Sequence, residues 1–195
     1  MKISEITLLG RVKKKGRNND NLGNHGQRVP VGQEKDYLGK LVGQISTGLD
    51  VYADYVSGDY QFHVFDTEKR RATLSLFGTK YPTYNKSLIV SGIYASRDNQ
   101  VRASKFYHFL ITVLGYTLVS DRLQSPGGQR VWQDLERRYH QSVEVYGYDS
   151  KTGKVLNVHA GDDSDTHVPA DMIGRGTPKD LISIANHVRL VATAK

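Results

Sequence analysis

Three short runs of alternating apolar and polar residues, joined by brief polar connectors, constrain this chain's fold more than any other feature. Val51-Tyr-Ala-Asp-Tyr-Val56, Tyr60-Gln-Phe-His-Val-Phe65 and Ala72-Thr-Leu-Ser-Leu-Phe77 each repeat with a period near two. That period belongs to strands with one face toward a core. Ser57-Gly58-Asp59 and Asp66-Thr-Glu-Lys-Arg70 are turn-like in composition and short enough for hairpins. The pattern predicts an antiparallel meander, with Tyr60, Phe62 and Val64 sharing one face.

Beyond Phe77 the period changes. Leu88-Ile-Val-Ser-Gly-Ile-Tyr-Ala95 is nearly continuous in apolar residues, as in a strand covered on both faces. Its Gly92 marks a bulge, close approach of a ligand, or crowding by a helix. The polar Arg97-Asp-Asn-Gln100 then opens a predicted helix over residues 105–114. Phe106, Phe109, Leu110, Val113 and Leu114 form its apolar face, and Gly115 ends it. Tyr116–Ser120 reads as a strand. Ser125 and Pro126 start a second helix that turns Val131, Trp132 and Leu135 inward, with Arg137 and Arg138 at its negative end. Ser142–Tyr148 and Val155–Val158 read as strands around a turn at 149–153. Thr177-Pro178-Lys-Asp180 predicts a last helix carrying Leu181, Ile184, Ala185, Val188 and Val191. The order predicts an α/β (α+β) chain: a single mixed sheet, antiparallel meander then β-α-β-α-β, flanked by helices.

The 195 residues carry a formal charge of +7, unevenly spread. Residues 11–28 hold Arg11, Lys13, Lys14, Lys15, Arg17 and Arg28 against Asp20, six cations less one acid and so five of the seven charges. Gly and Asn fill the rest of 10–36, without helical or strand period. The expected organisation is a flexible basic arm over 1–36 and a single domain over 37–195. Such an arm either binds phosphate backbones through Arg11, Lys13, Lys14, Lys15 and Arg17 or is a solvated tail. With no cysteine, disulfides, thiolate metal sites and a cysteine nucleophile are excluded, which suits a reducing, cytoplasmic setting. No apolar run nears the ~20 residues that span a bilayer. The opening residues place charge after a short apolar stretch, the reverse of a secretory signal.

From about Tyr52 to Val158 the element order resembles a GNAT N-acyltransferase: a meander, a bulged central strand, a phosphate-binding turn, a helix, a diverging strand and a second helix. By that resemblance Leu88–Ala95 with Gly92 is the bulged strand, Arg97–Ser104 the pyrophosphate turn and 105–114 the helix behind it. It implies acetyl-CoA or CoA as the bound group and attack of a deprotonated amine on the thioester. Gly92, Ile93, Gln100, Arg102, Ala103, Ser104 and Lys105 would hold the cofactor. Ser91 and Tyr94 would face the reacting carbonyl and amine. The chain departs from the family in two places. The loop pattern Arg/Gln-x-x-Gly-x-Gly/Ala is met by Gln100-Val-Arg-Ala103-Ser-Lys105, without glycine. The helix pattern Asn-x-x-Ala-x-x-x-Tyr is met by Ser125-x-x-Gly128-x-x-x-Trp132, and indole does not protonate a thiolate.

Ser120-Asp-Arg-Leu-Gln-Ser125-Pro-Gly-Gly-Gln-Arg-Val-Trp132 is similar to a stretch in tailed-phage proteins, and Ile3-Ser4-Glu5 fits the cleavage pattern of some prohead proteases. This resemblance implies a phage protein in the virion or host cytoplasm, with DNA, a virion protein or a host protein as partner. Ser120 and Asp121 are further catalytic candidates because they end a strand ahead of a helix. Asp162, Asp163, Asp165 and His167, with His159, form an acidic loop lacking the Gly and Glu of a calcium loop, and no metal is expected there. Gly147–Val155 has the wrong length for a Walker A loop and reads as a hairpin turn. His63, His108, His140 and His187 show no triad spacing and read as structural or exposed.

Overall fold

The computed structural model describes residues 28–56, 58–81, 86–121, 126–152, 155–157 and 188–195. After a short helix α1 (Glu34–Leu38) come β1 (Lys40–Ser46), β2 (Leu49–Val56), β3 (Asp59–Asp66) and β4 (Arg71–Lys80). These strands pair antiparallel in sequence order, so the expected meander is present with one extra strand. The chain continues through β5 (Ser87–Ala95), α2 (Ala103–Thr112), β6 (Thr117–Ser120), α3 (Pro126–Tyr139), β7 (Val143–Asp149), β8 (Val155–Asn157) and β9 (Val188–Ala194). The hydrogen-bonded strand order is β1-β2-β3-β4-β5-β6-β9-β7-β8, a single mixed sheet in an α+β chain. The contacts group into two compact units. One runs to Lys80 and takes in Val90–Phe106; the other holds Tyr81–Ile89 and Tyr107–Lys195.

In the first unit the register puts Val51, Phe62, Val64, Leu74 and Leu76 on one face, each at most 1% exposed. The opposite face carries Tyr52, Phe65 and Ala72, which cluster with Val29 and Leu38. Composition assigns residues 28–36 to the arm, yet Val29 is 1% exposed and its N–H donates to Arg70 O at 2.6 Å. One apolar side chain is enough because Arg70 fastens the segment. Its Nη2 donates to Pro30 O at 2.8 Å, it ion-pairs with Glu34, and its guanidinium lies 5.2 Å from the Phe65 ring centre. The body therefore begins before Tyr37. Strand β1 is hidden in the sequence because Lys40-Leu-Val-Gly-Gln-Ile-Ser46 has two register shifts that spoil its alternation. Gly39, at φ +85°, leads into it; a Cβ there would sit 2.3 Å from Ala53 O.

In the second unit Thr117 N–H donates to Lys86 O at 2.9 Å. The start of β6 thus lies beside the start of β5, the parallel arrangement that a helical crossover permits. Helix α2 ends where Gly115 takes φ +71° and Tyr116 N–H reaches back to Leu110 O at 3.0 Å. Lys86 Nζ donates to Leu114 O at 3.4 Å, a cation at the negative end of that helix. Val113, predicted on the inner face, lies past the last helical residue and is 63% exposed; Tyr107 and Ile111 are buried instead. Helix α3 is as expected in turning Trp132 and Leu135 inward, whereas Val131 is only half-buried.

The predicted last helix is corrected where it is described. Val188–Ala194 is a strand, antiparallel to both β6 and β7, so Val188 and Val191 belong to a ladder. Leu190, Val191 and Ala192 are all buried, and a short run buried on both faces imitates helical spacing. Thr177, Leu181, Ile184 and Ala185 lie outside the described residues.

Candidate functional site

The turn between β5 and α2 is built from side chains that bind its own backbone. Ser96 N–H donates to Thr73 O at 2.8 Å, and its hydroxyl is shared between Thr73 O at 3.2 Å and Asp98 Oδ1 at 2.8 Å. Asn99 N–H returns to Ser96 O at 3.1 Å, and Asn99 Oδ1 accepts the Val101 N–H at 3.2 Å. Asp98 also ion-pairs with Arg71, while Lys69 Nζ stands 3.4 Å from Asp98 Oδ2 and donates to Asp98 O at 3.3 Å. The Ser96 hydroxyl first, and then the Arg71 guanidinium, hold the Asp98 carboxyl well below the usual carboxylate range.

Beyond that fastening the chain enters α2, where Arg102 O accepts the Phe106 N–H at 3.1 Å. Gln100, Arg102 and Lys105 are exposed, Ala103 is half-buried and Ser104 is buried. Two exposed cations beside the first turn of a helix make a surface that favours an anion.

Ser91, Gly92, Ile93 and Tyr94 are half-buried in β5, and they lie in the same unit as the turn. Ser91 Oγ donates to Phe77 O at 2.9 Å, so in this arrangement its proton is committed to the sheet. Ser120 and Asp121 fall in the other unit. Ser120 is 2% exposed and its Oγ accepts the Leu190 N–H at 2.9 Å, while Arg189 donates to Ser120 O at 3.2 Å and lies 3.8 Å from Asp121. Those contacts make Ser120 a splice between β6 and β9. Ser125, Arg11, Lys13, Lys14, Lys15, Arg17, His187 and the acidic loop at 159–167 lie outside the described residues.

Trp132 is 3% exposed and meets Tyr107 edge-on, with 5.5 Å between centroids. Burial pushes the Tyr107 phenol up, so it is a poor proton donor. His63 Nδ1 lies 2.8 Å from Ser75 Oγ, and burial pushes that imidazole down to about 4. His108 Nε2 lies 2.9 Å from Ser142 Oγ, and its ring stacks on Tyr139 at 4.2 Å. Both histidines are bound within the fold, and His140 is exposed, as expected from the sequence. The hairpin reading of 147–155 holds too: Asp149 Oδ1 accepts the Lys151 N–H at 2.8 Å, and Tyr148 pairs with Val155.

Sequence reasoning missed Asp98, Arg71 and Lys69 as a group. The Ser-x-Asp-Asn string was visible as a self-bonding turn, but its cationic partners lie in a separate hairpin. Among the described residues no three His, Cys, Asp or Glu side chains gather in a metal-binding group. No described helix is long and apolar enough to cross a membrane. No family model, curated protein or solved structure matches the chain.

Proposed function

We propose that this chain is a GNAT-like acyltransferase-fold protein that binds an acyl-CoA through the β5–α2 turn and passes the acyl group to an amine. The observation that carries the reading is the element order. An antiparallel meander leads into β5, and β5, α2 and β6 form a parallel crossover with Arg102 exposed in the connecting turn and Lys105 exposed in the first turn of α2. Arg102, Lys105 and the amides of the first turn of α2 are the groups to hold a pyrophosphate, with Gln100 beside them and Ser104 bracing the helix from within. Acyl-CoA would supply the activated thioester, with CoA leaving as the thiol. Backbone amides of β5 near Gly92 and Ile93 are the candidates to polarise its carbonyl, and Tyr94 is the nearest candidate for moving a proton.

A second reading is favoured by Trp132. A buried indole at the family's tyrosine position leaves that position without its proton donor. The alternative is a catalytically degenerate phage virion or host-takeover protein that binds DNA through its basic segment or binds a host protein.

Mass spectrometry of the purified protein under native conditions separates the two. Co-purifying CoA supports the first reading, and a bare chain that also takes up no added CoA favours the second.

A further inference from the structure

We infer that Asp98 is a positioning residue for the CoA-binding turn, an inference that rests on the acyl-CoA reading above. An acidic side chain at a surface meant for a pyrophosphate is a contradiction if charge alone matters. Its carboxylate would repel the ligand and would also cancel nearby cations. The geometry resolves the contradiction. Asp98 is bound from both sides, by the Ser96 hydroxyl within its own turn and by Arg71 and Lys69 from the β3–β4 hairpin. It is the only acceptor that the Arg71 side chain finds among the described residues.

That hairpin is itself cross-linked through Asp66. Asp66 Oδ1 accepts the N–H groups of Glu68 at 3.1 Å and Lys69 at 2.9 Å, and Lys69 Nζ lies 3.1 Å from Asp66 Oδ2. Asp98 therefore ties the turn to that hairpin. A glycine-containing loop approaches phosphate through backbone freedom. This turn has no glycine, and an ion pair holds its conformation instead. The Asp98 charge is offset by Arg71 and Lys69, and Arg97, Arg102 and Lys105 are the exposed cations of the turn and the first turn of α2.

The two accounts of Asp98 predict opposite signs. If it acts only as a charge, Asp98→Asn tightens CoA binding and Asp98→Glu leaves it unchanged. If it positions the turn, both variants weaken binding, Asp98→Asn by roughly tenfold. Calorimetric titration of CoA into the full-length wild type and both variants decides this. Hydrogen exchange supplies a readout without ligand, since Ser96, Asn99 and Val101 amides should exchange about tenfold faster in Asp98→Asn. Weaker binding in both variants with faster exchange at these amides supports the inference. Equal or tighter binding in either variant overturns it, as does weaker binding with unchanged exchange. Wild-type protein that binds no CoA overturns the acyl-CoA reading first, and the inference falls with it.

Discussion

The indole of Trp132 stands edge-on to the phenol of Tyr107, 5.5 Å between centroids and 75° between ring planes. This pair fixes α3 to α2 inside the second unit, with Trp132 3% and Tyr107 2% exposed. Edge-to-face rings of this kind add to the apolar area they bury. Where the resembled family carries an acid on this helix, the chain carries packing.

Trp132→Ala should accordingly cost about 3–5 kcal/mol of stability by leaving a large cavity beside Tyr107. Urea denaturation followed by circular dichroism measures it. A loss below about 1 kcal/mol, accompanied by a large loss of ligand binding, would make Trp132 a binding residue instead.

His63 makes stability depend on pH in a definite window. Its folded pKa is lowered to about 4 from 6.5 by burial. Between those values the unfolded chain binds a proton that the folded chain does not, so stability falls as pH drops through that range. The loss from this group approaches about 3 kcal/mol below pH 4. His108, also lowered by burial, acts in the same direction. His63→Gln removes the larger contribution, so its stability curve between pH 6.5 and 4 should be flatter than the wild type's. Parallel curves for the two proteins would contradict the burial of His63.

Arg70 decides where the basic segment ends and the body begins. Arg70→Ala removes the bond to Pro30 O, the ion pair to Glu34 and the contact with Phe65, and should cost about 1–3 kcal/mol. Arg70→Lys should recover only part, because an ammonium lacks the planar guanidinium that lies over the Phe65 ring while its Nη2 meets Pro30 O and Glu34. Amide exchange at Val29 is the local readout. Unchanged exchange in Arg70→Ala would show that the segment is held by something else.

Deleting residues 1–27 removes five of the basic side chains at 11–28 and stops short of Val29. The thermal midpoint should hardly move, while any retention on DNA at low salt should disappear. Deletion through Leu38 should lower the midpoint, because Val29 and Leu38 leave the core with it. DNA retention by the shorter truncation would move the nucleic-acid surface onto the body.

Legibility in the sequence depends on the range of each signal. The β2–β4 meander shows in local alternation because each strand pairs with its sequence neighbour. Helix α3 is legible for the same reason, since Trp132 and Leu135 declare its inner face within four residues. Strand β9 was not legible: its partners Leu118 and Val145 are far away in the chain, and Val188 and Val191 fit a helix equally well in isolation. At the candidate site, Gln100, Arg102, Ala103, Ser104 and Lys105 were implied by the family resemblance, and they lie where the β5–α2 turn runs into the first turn of α2. The Arg71–Asp98 pair could not be read there, because its members sit in β4 and in the β5–α2 turn, 27 positions apart.

Calorimetric titration of CoA and acetyl-CoA decides whether the proposed pyrophosphate site at the turn before α2 exists. Wild-type protein should bind both. Arg102→Glu and Lys105→Glu should each weaken binding, since each reverses a charge beside a multiply charged anion. Ala103→Gly should tighten it by removing the methyl group that limits backbone approach. The predicted result is weak binding by wild type, lost in the two reversals and strengthened in the glycine variant. No heat from wild type at millimolar CoA, or binding indifferent to all three substitutions, would rule out a pyrophosphate site at this turn.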